Sequence, residues 1–399
     1  MSPRPPISSP RALLRAGVSV ALTCMVGCAT QASRSAATPA VPASAALKVP
    51  SAPRIAPLPR VRVATGLANP RGMHALPDGS LLISTAGTGD PAQPNTGGLL
   101  RLTDANGDGD FDDDGERTTL LSEQPSANVL EIVRRDEVFG MAGMAEGEGT
   151  VLVALAFFGG PSKVFRVGDA GQVTQWSSTI GNLNDLTFDP RSRAWYAVAS
   201  TTDEVVRLHE GKGAERVVKI PPLASGQDSV PAYLQNDPYA GGLLVSLFSG
   251  SPEGEEGGKG VELVPRAASV VRVLPDRRSV EPVVTELTVP TDLVATEDGM
   301  LYVLEFCDSF VDPVESRAAL AAGPSHGGFR RFSGRLLRVD RKAGDVAVIA
   351  EGLDHPTNLL LSGGALYVAQ GMGTPGRQIP GPDGQPRVLT GFVERIALK

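Results

Sequence analysis

An acidic segment between residues 104 and 116 has the residue types and spacing that could bind a divalent cation. It reads DANGDGDFDDDGE, and residues 104–109 fit the pattern Asp-x-Asn-x-Asp-Gly. In calcium loops this spacing aims alternate oxygens at one ion, and the glycine permits a sharp turn. The match fails at the twelfth position, Gly115, so a solvated acidic loop is the alternative. The sequence predicts a structural Ca²⁺, with the ligands Asp104, Asn106, Asp108, Asp110 and Asp112.

Polar side chains at equivalent places in the internal repeats described below could form a second site. Asp185, Asp292 and Asn358 take the same position in three repeats, and Tyr233 takes it in another. Glu305 ends a neighbouring predicted strand and is expected at the same rim. Carboxylate and amide oxygens around a narrow opening could hold a divalent ion or hydrogen-bond a polyol. The alternative is that these side chains only cap strand ends by accepting hydrogen bonds from backbone amides.

Basic side chains supply two further candidates. His326 and Arg330, with Arg331, lie in GPSHGGFRRFSG, where arginines could clamp a carboxylate or a phosphate. A solvated loop surface is the simpler alternative for them. His74 is the best candidate for the base that a quinone-dependent sugar dehydrogenase would need, although a structural histidine also explains it. Under an enzymatic interpretation the catalytic candidates are Asp292, Asp185, Glu305 and His74.

The elements that must position these residues are six internal repeats. Each has a short apolar run, a tight turn and a second run that ends in a small or polar residue, which is typical of two antiparallel strands. A third strand follows each repeat, and a fourth follows most of them, so the sequence predicts an all-β, six-bladed β-propeller over residues 59–399. The repeats occupy residues 69–87, 138–156, 182–200, 230–248, 289–306 and 355–371.

The last repeat lacks a fourth strand of its own. It ends at its third strand, Phe392–Leu398, whereas a spare strand, Val61–Ala64, precedes the first repeat. We expect the spare strand to complete the last blade, which would close the ring and leave no free edge. The long connections join second to third strands and are therefore expected on one face, around the channel mouth. They are residues 86–97, 249–268, 307–333 and 371–390.

Three phrases in the repeats resemble the ScyD/ScyE family. They are GLANPRGMHALPDGSLLIST, LTVPTDLVATEDGMLYVLEF and GLDHPTNLLLSGGALYVAQG. The broader relatives of that family are propellers of the NHL-repeat, gluconolactonase/strictosidine-synthase-like and sugar-dehydrogenase types. The resemblance implies an exported propeller. Most members of that family have no assigned reaction, so the resemblance implies no particular activity. NLNDLTFDP and VPTDLVATEDG also resemble gluconolactonase segments, which implies a channel metal held by acidic and amide residues, but the N-terminal glutamate motif of that family is missing.

The N-terminal 58 residues predict an export signal and a tether. Residues 1–27 combine three arginines with a short apolar run and no acidic residue, which is typical of a secretory signal peptide. The run ends in MVGC, which resembles a bacterial lipobox and predicts lipidation of Cys28. Residues 28–58 are rich in Ala, Ser and Pro, so a disordered tether is expected. The predicted location is the cell envelope, periplasmic or surface-exposed, with a lipid anchor. Ala29 follows Cys28, and the resemblance to Gram-negative lipoproteins implies the outer membrane.

Composition limits the classes of function. A formal net charge of −7 argues against a nucleic-acid binder. Of the three cysteines only Cys307 lies in the predicted propeller, which excludes a disulfide framework and a cysteine zinc site there. The sequence favours a binding or scaffolding module for a small polar ligand or an envelope protein. The alternative is an enzyme, either a metal-dependent lactonase-type hydrolase or a PQQ-dependent sugar/aldehyde dehydrogenase.

Overall fold

The described part of the chain forms six antiparallel sheets of four main strands each, as the sequence predicts. In chain order blade 1 is Pro70–Ala75, Leu81–Thr85, Gly97–Leu102 and Arg117–Gln124; blade 2 is Met141–Gly147, Thr150–Leu155, Ser162–Val167 and Val173–Thr179; blade 3 is Leu183–Asp189, Ala194–Ala199, Glu204–His209 and Gly213–Lys219. Blade 4 is Pro231–Asn236, Leu243–Leu247, Ala268–Leu274 and Ser279–Leu287; blade 5 is Pro290–Ala295, Met300–Glu305, Gly334–Asp340 and Asp345–Leu353; blade 6 is Asn358–Ser362, Ala365–Gln370, Gly391–Ala397 and Arg60–Leu67.

The computed structural model describes residues 46–49, 57–157, 160–169, 171–179, 181–248, 264–312, 316–322 and 327–398. The predicted signal peptide, Cys28 and His326 lie outside these residues. No helix in the described ranges is long and apolar enough to span a bilayer.

Ring closure by the N-terminal strand is confirmed. Arg60–Leu67 pairs antiparallel with Gly391–Ala397, the last strand of the chain, and so completes blade 6. The innermost strands of successive blades contact each other all the way around, including those of blades 6 and 1. Because the first and last strands share one sheet, the ring is fastened by hydrogen bonds between the two ends of the propeller domain.

Side-chain hydroxyl groups bridge all six joints between neighbouring blades. At each joint a serine or threonine of one blade donates a hydrogen bond to a backbone carbonyl of the next. Such a bond contributes about 0.5–1.5 kcal/mol and satisfies a buried carbonyl. The donor and acceptor residues are Ser84 to Ala142, Ser162 to Gly181, Ser200 to Pro231, Ser246 to Thr291, Thr291 to Pro356 and Thr357 to Pro70.

The apolar core is divided among the six joints because strand side chains alternate between the two faces of each blade. In blade 1, Leu82 packs against blade 2, whereas Leu81 and Ile83 pack against blade 6. Separate buried clusters fill the joints between the other blades in the same way. A seventh cluster, which includes Phe306 and Phe329, lies beneath the loops.

Short elements decorate the ring. The helices are Leu130–Val133 and Arg317–Ala322, with a 3₁₀ turn at Pro275–Arg277, and the short strands pair as Ala127–Asn128 with Val138–Phe139 and as Gln378–Pro380 with Pro386–Val388.

One short strand corrects the expectation of a wholly disordered tether. Leu47–Lys48 pairs in parallel with the outer strand of blade 4. Its few bulky side chains explain the docking, because Val49 is buried and Leu47 packs on the core between blades 4 and 5.

Candidate functional site

Connections at the channel mouth pack tightly on one another. Arg331, from the connection between the second and third strands of blade 5, lies 2.7 Å from the Asp354 carboxylate and donates to the backbone carbonyl of Met372 at 3.0 Å. Arg377 lies 3.5 Å from Asp136, whose carboxylate also accepts hydrogen bonds from a residue of the last long connection. Removing one partner would leave a buried charge uncompensated, so these pairs hold the loops in one arrangement.

A cavity of about 50 Å³ lies beneath these loops at the mouth of the channel. Phe248, Phe306 and Met372 contribute apolar walls. The polar lining includes three buried side chains, each with one polar atom that has no hydrogen-bond partner among the described residues: Arg71 Nε, Glu137 Oε1 and Asn184 Oδ1. Since a water needs about 10–15 Å³, the cavity has room for a few water-sized groups.

Backbone irregularities place several of the lining side chains. The pairing register shifts at Arg71, Asn184, Ala232 and Thr291, each of which lies between two paired residues of an innermost strand. Such bulges break the alternation of a strand and redirect a side chain. All four of these residues line the cavity. The bulges therefore direct these side chains into the cavity, whereas strict alternation along the strand would point them elsewhere.

Tyr233 crosses the channel beside the cavity and lines it. Its hydroxyl donates a hydrogen bond of 3.1 Å to the backbone carbonyl of Arg71, which links blade 4 to blade 1 on the opposite side of the ring. The side chain is buried, and burial raises the pKa of its hydroxyl above the ordinary value. Tyr233 thus spans the channel and lines the cavity.

The two predicted channel aspartates accept hydrogen bonds from backbone amides. Asp185 Oδ2 accepts from Leu234 N–H of the next blade at 3.0 Å. Asp292 Oδ2 accepts from Leu359 N–H at 2.7 Å and from the Asn358 side-chain amide at 2.6 Å. These contacts match the alternative in which the carboxylates cap backbone amides, and they also fasten one blade to the next.

Burial raises the pKa of both carboxyl groups. Desolvation raises the pKa of Asp292 to about 7, against the lowering effect of its backbone hydrogen bonds. Desolvation, with the nearby Asp292 charge, raises the pKa of Asp185 well above its ordinary value. Two acids that affect each other in this way share their protons, so the pair is expected to carry less than its full negative charge near neutral pH.

Glu305 is occupied by structural contacts. Its Oε1 accepts a hydrogen bond of 2.7 Å from Thr288 N–H, and its Oε2 accepts one of 2.9 Å from Nε of Arg335. The residue is fully buried, and desolvation raises the pKa of its carboxyl despite the opposing Arg335 charge. The structure does not bring Glu305 into the lining of the cavity.

The other predicted site residues lie apart from the cavity. His74 Nε2 lies 3.4 Å from the Glu146 carboxylate, between blades 1 and 2. Arg330 is exposed, whereas its neighbour Arg331 is the arginine buried under the loops. Asn358 lies beside Asp292 in the channel, and its Oδ1 has no hydrogen-bond partner in the described ranges.

Carboxylates of the acidic loop accept hydrogen bonds from the backbone of the loop and from blade 6. Asp104 accepts from Gly107 N–H at 2.6 Å, and Asp112 accepts from Thr65 N–H at 2.8 Å. Slight desolvation and the carboxylates of Asp108, Glu116 and Asp110 raise the pKa of Asp113. In the part of the chain that the structure describes, no three His, Cys, Asp or Glu side chains meet the geometry of a metal site. The predicted Ca²⁺ stays a prediction.

Sequence reasoning missed Arg71, Glu137 and Asn184, the cavity residues that carry the polar atoms without hydrogen-bond partners in the described ranges. Asn184 directly precedes Asp185, which the repeats place at the rim, and Arg71 occupies the corresponding position of the first repeat. The aligned repeats could therefore have identified Arg71 and Asn184 if the position one residue earlier had also been considered. Glu137 lies in the connection between blades 1 and 2, where no repeat pattern applies.

Comparisons with known proteins identify the architecture alone. No family model and no curated protein matches the chain, so the ScyD/ScyE assignment finds no support. A Bacteroides thetaiotaomicron protein of unknown function aligns with a TM-score of 0.50 and 12% identity over 88% of this chain and 75% of its own. A putative glucose dehydrogenase from Thermus thermophilus aligns with a TM-score of 0.49 and 17% identity over 85% and 99% of the two chains. At such identities the likeness extends to the propeller fold, not to a reaction.

Proposed function

We propose that this propeller is a binding module that holds a small polar ligand in the cavity beneath the loops. The observation that carries the proposal is the set of buried polar atoms without hydrogen-bond partners among the described residues, Arg71 Nε, Glu137 Oε1 and Asn184 Oδ1, around one cavity. A buried polar atom without a hydrogen bond costs about 1–3 kcal/mol, so the convergence of these atoms favours an occupant. Arg135 lies 3.8 Å from Glu137 Oε1 and balances its charge, but it leaves the hydrogen-bonding capacity of this oxygen free.

The chemistry of these atoms favours a short polyol. Arg71 offers an N–H donor, whereas Glu137 and Asn184 offer oxygens that accept hydrogen bonds. Neighbouring hydroxyl groups can donate to two acceptors and accept from one donor at once. With about 50 Å³ available, the ligand must be of glycerol size or smaller unless the apolar side chains above it move.

Ligand-observed NMR with ethylene glycol, glycerol and the matched alcohol 1-propanol tests the proposal. We expect the two polyols to bind, and we expect Asn184→Ala to weaken them about fivefold because one hydrogen bond is lost. Asn236→Ala is the matched control, since Asn236 also has a buried amide oxygen without a partner in the described ranges but does not line the cavity. Equal binding of propanol, or equal effects of the two variants, would refute the proposal.

We further propose that the module works in the cell envelope, anchored through a lipid on Cys28. The support is the arginine-rich, apolar N-terminal segment that ends in MVGC. Metabolic labelling with a clickable fatty acid in a bacterial host should label the wild-type chain and should not label Cys28→Ser. Labelling of the variant would refute the anchor.

The enzymatic alternative has one favourable observation, the raised pKa of Asp292. A carboxyl with a pKa of about 7 could exchange a proton at neutral pH. However, both of its oxygens accept hydrogen bonds, and His74 lies between blades 1 and 2 rather than at the mouth. Lactone hydrolysis that needs a divalent ion and disappears in Asp292→Ala would favour this alternative over the binding module.

A further inference from the structure

A second, larger pocket lies between blades 1 and 2, on the face opposite the long loops. It encloses about 440 Å³, which is within the range of about 300–1,000 Å³ typical of small-molecule sites. It is formed by residues of both blades and by their tight turns, so the rigid sheets hold its walls. The pocket shares no lining residue with the cavity beneath the loops.

One wall of this pocket is apolar. Leu82 and Val151 belong to the buried core between blades 1 and 2, and Leu76, Leu120 and Val167 pack on that core while they also line the pocket. A ligand with an apolar body would cover the partly exposed sides of these residues. Burial of apolar area would then supply most of its affinity.

The rim of the pocket carries excess negative charge. Arg101 is paired with Asp78, and its Nε donates to Ser80 at 3.1 Å, so its charge is neutralised within the rim. Glu146 and Asp169 line the pocket without a lysine or arginine partner among the described residues. The rim therefore carries two negative charges that an incoming cation could balance.

His74 adds a polar group at the apolar wall. Its Nε2 is buried and lies 3.4 Å from the Glu146 carboxylate, but it has no hydrogen-bond partner among the described residues. Burial lowers the pKa of the imidazole, against the raising effect of the Glu146 carboxylate. A neutral imidazole does not balance the charge of the rim.

We propose that this pocket binds a small amphipathic cation, an apolar ring or short chain that carries a primary ammonium group. The apolar body lies on the Leu82 and Val151 wall, and the ammonium group lies between Glu146 and His74. This site is independent of the polyol cavity, so either proposal can fail without the other.

Titration calorimetry with cyclohexylmethylamine, cyclohexylmethanol and cyclohexanecarboxylate tests the proposal, because the three share one apolar body. We expect the amine to bind most tightly and the carboxylate least. Glu146→Gln should weaken the amine about fivefold, as expected for a half-exposed ion pair, and should leave the alcohol unchanged. Leu120→Trp should reduce the binding of all three by filling the pocket.

Glu148→Gln is the matched control, because Glu148 is two residues away and similarly exposed, with side-chain exposures of 48% and 50% for Glu148 and Glu146. It should leave the affinity of the amine unchanged, as should Asn184→Ala in the other cavity. The proposal is overturned if the amine and the alcohol bind equally, if Glu146→Gln and Glu148→Gln have the same effect, or if none of the three compounds binds at millimolar concentration.

Discussion

Replacing Asp292 by asparagine should change how the stability of the propeller depends on pH. Desolvation raises the pKa of this buried carboxyl from 3.8 to about 7 in the folded protein. Between these two values the folded chain keeps a proton that the unfolded chain has lost. The carboxyl therefore stabilises the fold fully below about pH 4, and this contribution is lost as the pH rises towards 7.

The size of the effect follows from the two pKa values. At about 1.4 kcal/mol per pH unit, the interval from 3.8 to about 7 corresponds to on the order of 4 kcal/mol between pH 4 and pH 8. Asparagine does not titrate, so the variant should lose this part of the pH dependence. His355 titrates in both proteins, whereas Asp185 responds to the loss of the Asp292 charge, so the difference between the two curves reports the titration of the Asp185–Asp292 pair.

Urea unfolding at a series of pH values from 4 to 8, at constant ionic strength, measures the difference. The matched control is Asp345→Asn, which changes an exposed aspartate at the start of the outer strand of the same blade. A variant that is merely weakened by a lost hydrogen bond would shift the whole curve without changing its slope. If Asp292→Asn keeps the slope of the wild type, the buried carboxyl does not have the raised pKa.

Three further predictions concern the ring, the acidic loop and the buried thiol. Thr357→Val should lower the free energy of unfolding by about 1–3 kcal/mol, because the Pro70 carbonyl between blades 6 and 1 loses the hydrogen bond from the Thr357 hydroxyl. Thr118→Val, at an exposed threonine, is the control and should be nearly neutral in the same urea titrations. If the acidic loop binds Ca²⁺, a chelator should lower the melting temperature of the wild type but not that of Asp108→Ala; equal responses would contradict the site. Cys307 should resist a thiol reagent until the protein is unfolded, because burial raises the pKa of its thiol. Peptide mapping measures the modification, and modification of the folded protein would contradict this prediction.

The architecture could be predicted because its signals are local and repeated. Alternating apolar residues and tight turns fix two strands per repeat, and the spare strand near Val61 was needed to complete the last sheet. Cys307 directly follows the apolar run Leu301–Phe306 in the sequence, and it is buried in the structure. These features depend on neighbours in sequence, and the fold preserves them.

The cavity could not be predicted because it depends on departures from the repeat. A bulge moves Arg71 and Asn184 out of strict alternation, and nothing in a single sequence marks such a bulge. Glu137 reaches the cavity from a connection outside the repeats. Likewise, sequence alone could not tell the buried Arg331 from the exposed Arg330, because the difference comes from the partner Asp354 in another connection.

A high-resolution crystal structure of the purified protein would test the proposed binding module most directly. We expect ordered density in the cavity beneath the loops, with atoms within hydrogen-bond distance of Arg71 Nε, Glu137 Oε1 and Asn184 Oδ1. A soak in glycerol should displace that density. A dry cavity in which these atoms have turned to protein partners, and which glycerol does not enter, would contradict the proposal.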